Sequence, residues 1–272
     1  MIGLLCIFCN ICVMSSFKVP SHSMYPTLLS GDYIIVNKAL LGARVFNPLD
    51  LVEGKEPKIH RLPALKNVKR GDVLVFNNPC AQYWDSITFS TRDYYVKRCI
   101  GLPGDTLEIR DAHYRIRGCN NLIGDWDEQE QLRLFLQTTQ NTNHPIEGYY
   151  TIGEWNIGEF GPFYIPRAGD TLTLDYQATK CYQRCIEWEL GCKLTCDKAN
   201  EQFFQQGQPF CGYRFKNDYY FMAGDHVINS KDSRYWGVVP ECYIVGKVTH
   251  VWKSIDPSSE RLRYKRIMKR VR

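Results

Sequence analysis

Apolar positions along this chain gather in short runs, not in long helical stripes. After an uncharged start over residues 2–17 (IGLLCIFCNICVMSSF), the runs are Tyr33–Val36, Val73–Phe76, Tyr94–Ile100, Tyr219–Met222, Tyr243–Val245 and Val248–Trp252. Shorter alternating stretches lie at Thr106–Arg110 and Thr171–Asp175. The runs are rich in β-branched and aromatic residues and bounded by turn formers, which predicts strands. Gly-Asp pairs at 31–32, 71–72, 104–105, 169–170 and 224–225 mark turns that feed strands. The pattern predicts an all-β, antiparallel architecture.

Two stretches break it. Residues 40–68 are punctuated by Pro and Gly with little periodicity and predict a loop or lid. Residues 111–215 are richer in Asn, Gln and Gly, with a helix predicted over Ile186–Lys198. They read as a smaller, partly irregular subdomain inserted into a strand-rich core formed by 18–110 and 216–260. A basic tail, 261–272, follows.

The uncharged start is short for a bilayer span, which takes about 20 apolar residues, and Asn10, Ser15 and Ser16 interrupt it. It could be the surviving part of an anchor that begins upstream, a tilted or thin span, or a buried core segment. It lacks the basic n-region and small-x-small exit of a cleavable signal peptide. We take residues 1–17 as a short membrane anchor. Lys18, Lys38 and Arg44 follow it and would favour a cytoplasmic body, but long domains cross a membrane largely regardless of charge.

Charge and composition narrow the classes. Apolar residues make up 44% and aromatics 13%, as in a globular strand-rich protein. The formal net charge of +5 is carried by the tail: Arg261–Arg272 holds seven basic side chains and no acid, so the body is near −2. No nucleic-acid partner is expected; the tail reads as solvated or drawn to acidic lipid head groups. Of twelve cysteines, Cys181, Cys185, Cys192 and Cys196 form a local cluster open to three readings, namely metal, disulfides or packing. No metal or other cofactor is expected.

A serine hydroxyl needs a neighbouring base to act as a nucleophile. No Gly-x-Ser-x-Gly elbow is present, and His22, beside Ser23, would point to the opposite face of a strand. Lys97 sits in an apolar run, and burial there would favour its neutral amine. Lowering a lysine pKa from about 10.4 to roughly 8 costs about 3 kcal/mol, within reach of a core this size. A solvent-facing or acid-paired lysine is the alternative from pattern alone.

Three segments together carry a resemblance. They are Ser21-His22-Ser23-Met24-Tyr25-Pro26-Thr27-Leu28 with Gly31-Asp32; Tyr95-Val96-Lys97-Arg98 with Gly101–Asp105; and Gly224-Asp225 with Asn229–Gly237 and Val239-Pro240-Glu241. In this order they resemble the nucleophile, lysine and C-terminal boxes of bacterial type I signal peptidases. The likeness covers about residues 17–38, 68–79, 94–109 and 217–256 and is not clear over 111–215. It implies Ser23 as nucleophile, Lys97 as general base and Ser21 as an oxyanion-hole donor with the backbone N–H of Ser23. It further implies Ser230 as the hydroxyl orienting the lysine, and Asp232 with Arg234 as a supporting ion pair. One departure is His226-Val227-Ile228, where the family is usually polar.

The implied substrates are secreted preproteins cut after a small-x-small sequence, its pockets lined by Met24, Tyr25 and neighbouring strand residues. The implied place is the cell inner membrane, with the catalytic domain extracytoplasmic and the lipid bilayer as a second partner. A self-cleaving repressor-type Ser–Lys protease and an inactive membrane-tethered binding module are the alternatives.

Overall fold

The computed structural model describes residues 13–80, 85–138 and 155–272. The strands that build and flank the site are β1 (Met14–Lys18), β2 (Asp32–Asn37), β3 (Val73–Asn77), β4 (Tyr94–Gly101), β5 (Thr106–Arg110), β6 (His113–Ile116), β7 (Phe160–Tyr164), β8 (Tyr219–Ala223), β9 (Val239–Pro240), β10 (Ile244–Ser254) and β11 (Lys269–Arg270). The main sheet runs β1-β2-β10-β3-β4-β8-β9, with β11 paired to β10. Its pairings are antiparallel, so the all-β expectation holds.

β3 explains how the sheet is covered. All five of its residues are buried, as expected of a strand packed on both faces. Alternate side chains point to opposite faces. Leu74 and Phe76 enter the larger core, while Val73 and Val75 enter a second core with Ile34, Val36, Val248 and Val251. Val19, Met24 and Leu28 plug that second core and are at most 1% exposed. Each such burial contributes about 1.5–3 kcal/mol, which pins the segment between β1 and β2 to the sheet.

β5 lies outside the main sheet and pairs with β6 and β7 in a separate three-stranded sheet. Leu107, Phe160 and Phe163 from that sheet share the larger core with Phe76 and Phe221. Two helices accompany it, α1 (Trp126–Thr138) and α2 (Tyr176–Leu190). α2 lies ten residues before the start predicted for it. Asp175 caps its first turn by accepting from the Ala178 N–H at 2.7 Å, and Gly191 ends it in the left-handed region at φ 68°. The residues after Gly191 turn into a short strand, Thr195–Asp197.

Residues 1–12 of the expected anchor lie outside the described residues. The rest of that segment enters β1, an edge strand on β2 with Phe17 opposite Ile34. Among the described residues no helix is long and apolar enough to cross a membrane. The basic tail, read as solvated or drawn to acidic lipid head groups, is tied to the body at several points and otherwise largely exposed. Arg263 pairs with Asp256 at 2.8 Å, Arg266 reaches Asp32 at 2.9 Å, and Val271 is buried.

Candidate active site

Ser23 sits in the turn between β1 and β2, where Tyr25 N–H donates to the His22 carbonyl (2.9 Å) and Leu28 N–H to that of Met24 (2.8 Å). Lys97 stands on β4 opposite Leu74. The fold brings the two together across 74 residues of sequence: Lys97 Nζ lies 2.6 Å from Ser23 Oγ. Ser21 Oγ is 3.3 Å from the same hydroxyl. His22 is exposed.

Lys97 is 2% exposed. Burial is the main cause that lowers its pKa to about 8; the Arg234 charge acts the same way, while Asp232 and Asp225 oppose it. Asp232 and Arg234 form a fully buried pair, with Nε–Oδ1 at 2.8 Å and Nη2–Oδ2 at 2.8 Å. Burial pushes the Asp232 carboxyl up, but the Arg234 guanidinium outweighs it and holds the group below its ordinary value. Arg234 also donates to the carbonyls of Val227 (2.8 Å) and Ser230 (3.3 Å), and Asp232 accepts from the Gly224 N–H at 3.0 Å. The pair thus fixes the backbone of the wall beside Lys97. Ser230 Oγ is buried and has no hydrogen-bond partner among the described residues, so the bond to the lysine amine that the resemblance implied is not made here.

Other positions at the site had no role read from sequence. Gly224 lets two segments meet: a Cβ there would lie 2.3 Å from Ser230 Oγ and 2.4 Å from the Ser23 carbonyl oxygen. The same carbonyl accepts from the His226 N–H at 3.2 Å. Arg98 grips Asp225 through two bonds of 2.6 and 2.7 Å. Tyr95 stacks on Trp236 at 4.9 Å, and Lys97 Nζ lies 5.8 Å from the Tyr95 ring centre. The signals were faint: the Gly-Asp at 224–225 looks like the other turns, and nothing beside Arg98 names its acid.

A cavity of about 210 Å³ opens beside Ser23, walled mainly by Val19, Ile34, Val75 and Val96. Met24 and Tyr25, expected to line it, do not: Met24 is fully buried in the second core and Tyr25 is exposed. Cys185, in the local cysteine cluster, is a free thiol that packs within the larger core. Among the described residues no cluster of His, Cys, Asp and Glu is arranged to hold a metal ion.

An antiparallel β fold with a serine hydroxyl bonded to a buried lysine amine, beside an apolar cleft, has the makings of a serine-type hydrolase. The comparisons with known proteins go further. The family profile described as signal peptidase, peptidase S26 matches residues 1–253, and the chain belongs to this family of serine endopeptidases. Signal peptidase I of Buchnera aphidicola subsp. Acyrthosiphon pisum is 31% identical over 248 residues, covering 90% of this chain and 69% of the relative. Signal peptidase I of Haemophilus influenzae is 26% identical, covering 88% and 63%. The solved signal peptidase I of Enterococcus faecalis V583 aligns at a TM-score of 0.30 and 20% identity, covering 68% of this chain and 98% of that one.

Proposed function

We propose that the chain removes signal peptides from secreted preproteins by acyl transfer through a Ser23–Lys97 dyad at the outer face of the cell inner membrane. The 2.6 Å approach of a buried lysine amine to a serine hydroxyl carries this reading. Ser23 Oγ attacks the scissile carbonyl while Lys97 Nζ takes its proton. Lys97 returns that proton to the leaving amine. It then draws a proton from a water that attacks the acyl-enzyme, which frees the signal peptide and restores Ser23.

In this reading Ser21 Oγ and the Ser23 N–H donate to the developing oxyanion, where fixed donors count most. Asp232 and Arg234 position the backbone around the lysine. The small apolar cavity favours small side chains at the first and third positions before the cut. Phe17 lies six residues from Ser23, a reach of no more than about 20 Å. The uncharged segment ahead of it would therefore hold the nucleophile close to the bilayer.

The test mixes the purified protein with a preprotein bearing an Ala-x-Ala site, beside Ser23→Ala and Lys97→Ala. Cleavage after the second Ala, read by N-terminal sequencing, is expected for the unaltered protein only, with rates at least 10³-fold lower in each variant. Normal cleavage by Lys97→Ala would overturn the base assignment, and self-cleavage alone would overturn the substrate.

A further inference from the structure

The wall beside the dyad is held from the inserted subdomain as well as from the main sheet. α1 is fixed at its start. There Gln129 is fully buried, accepts the Tyr114 N–H of β6 at 2.8 Å and donates to the carbonyls of Ile123 and Asp125, each at 2.8 Å. Asp125 also accepts the Glu128 N–H at 3.1 Å. α1 packs on the short 3-10 turn Val227–Asn229. Glu128 is 4% exposed, and its Oε2 lies 3.8 Å from Nε2 of His226. A carboxyl on a rigid helix start thus faces an imidazole on the catalytic wall.

His226 reaches the nucleophile by two routes. Its backbone N–H donates to the Ser23 carbonyl at 3.2 Å. Its ring lies 5.7 Å, centre to centre, from that of Tyr25, two residues after Ser23. The imidazole Nδ1 is buried and has no hydrogen-bond partner among the described residues. A proton there would be an orphaned donor, whereas a carboxylate facing the other nitrogen draws the proton to Nε2. Glu128 therefore fixes both the tautomer and the direction of the ring. Burial pushes the Glu128 carboxyl up and His226 pulls it back, while Asp125, Asp225 and Asp127 add to the rise. A carboxyl raised on folding destabilises the fold above that pKa, so its worth to the protein lies elsewhere than in stability.

We infer that Glu128 is a positioning residue for the nucleophile: from the inserted subdomain it sets the ring of His226, whose N–H and ring hold the Ser23–Tyr25 segment. The inference rests on the signal-peptide reading above and gives α1 a part in the reaction. The link falls in His226-Val227-Ile228, where the chain departs from the polar run usual in the family. Val227 is 2% exposed, and its burial keeps the backbone of His226 in place while the ring turns to Glu128.

The experiment measures kcat and KM separately on an Ala-x-Ala preprotein, at a temperature where melting curves show every variant folded. The variants are Glu128→Gln, His226→Phe and the two combined. Glu128→Gln keeps the shape of the side chain and should keep or raise Tm. Its kcat is expected to fall about 10-fold, less than the roughly 10²-fold that a 1 Å displacement costs, with KM within about 2-fold of the unaltered value. His226→Phe keeps a ring and the backbone N–H but not Nε2, and carries the same expectation. The combined variant should be no slower than the slower single one, because both changes break one link; independent losses would multiply. An unchanged kcat in Glu128→Gln, or losses that multiply in the combined variant, overturns the inference. Failure of the unaltered protein to cut the Ala-x-Ala site at all would instead count against the signal-peptide reading itself.

Discussion

Lys97 decides the pH at which the site can work. Its pKa of about 8 comes chiefly from burial, and a base must be neutral to accept the serine proton. The rate kcat/KM should therefore rise with pH through about 8 and level off above it, as a pH–rate profile would show; a profile flat from pH 6 to 9 would remove Lys97 as the base. The same burial has a stability consequence. At pH 7 the folded and unfolded chains both carry the ammonium, and keeping it dry costs about 3 kcal/mol at about 1.4 kcal/mol per pKa unit. Lys97→Met should then be more stable than the unaltered protein by up to that amount at pH 7. From pH 8 to about 10.5 only the unfolded chain holds the proton, so the unaltered protein gains stability with pH and the difference shrinks. Denaturant melts at pH 7 and pH 10 would check it. Ser23 and Lys97 were singled out by the family resemblance of the segments that hold them; pattern alone left a solvent-facing or acid-paired lysine as the alternative. Gly224 was not legible, since its need for a bare Cα arises only when Ser230 and Ser23, distant in sequence, close around it.

The segment from Gly224 to Trp236 shows how an element can be readable while its function is not. β8, from which it departs, was plain as an aromatic run, but β8 pairs with β4 through a register shift between Phe221 and Met222 that no alternation forecasts. That shift and the turn after it set the segment against Ser23. Gly224→Ala would force a methyl to within 2.4 Å of the Ser23 carbonyl oxygen. The backbone of the nucleophile must yield, and a displacement near 1 Å costs roughly 10²-fold in rate. We expect kcat to fall by about that factor, with a stability loss of about 1–3 kcal/mol from overpacking. An unchanged kcat in a folded Gly224→Ala protein would show that the contact does not position Ser23. Other elements slipped for related reasons. The helix expected over Ile186–Lys198 runs past Gly191, although Asp175 and Gly191 are the natural stops of α2. β5 alternates as any half-buried strand would, and nothing in its residues says which sheet it joins. Two separate runs near the end became the single strand β10, because register shifts absorb the break in alternation.

At the scale of the whole molecule the site depends on segments that share no neighbourhood in sequence, and Arg98 ties four of them. Its guanidinium bonds Asp225, the Gly71 carbonyl (2.7 Å), the Arg272 carbonyl (2.9 Å) and Thr27 Oγ1 (3.1 Å). These belong to the segment after β8, the turn before β3, the docked tail and the nucleophile turn. The side chains of Arg98 and Asp225 are 10% and 1% exposed, so the ion pair is dry. Removing one partner of such a pair leaves a buried charge alone and costs about 3–5 kcal/mol, whereas replacing both with apolar groups is often neutral. Arg98→Met should therefore lower Tm by roughly 6–20 °C at about 2–4 °C per kcal/mol, and Arg98→Met with Asp225→Leu should recover most of that loss. Activity is expected to separate from stability. The double variant restores an apolar fit but not the bonds that tie the nucleophile turn at Thr27 to β4 and to Asp225, so its kcat should stay well below that of the unaltered protein at a temperature where both are folded. Recovery of kcat together with Tm would mean that Arg98 only fills and neutralises its site. A loss of kcat that persists would mean that the chain uses this one buried cation to align nucleophile, lysine strand and supporting wall.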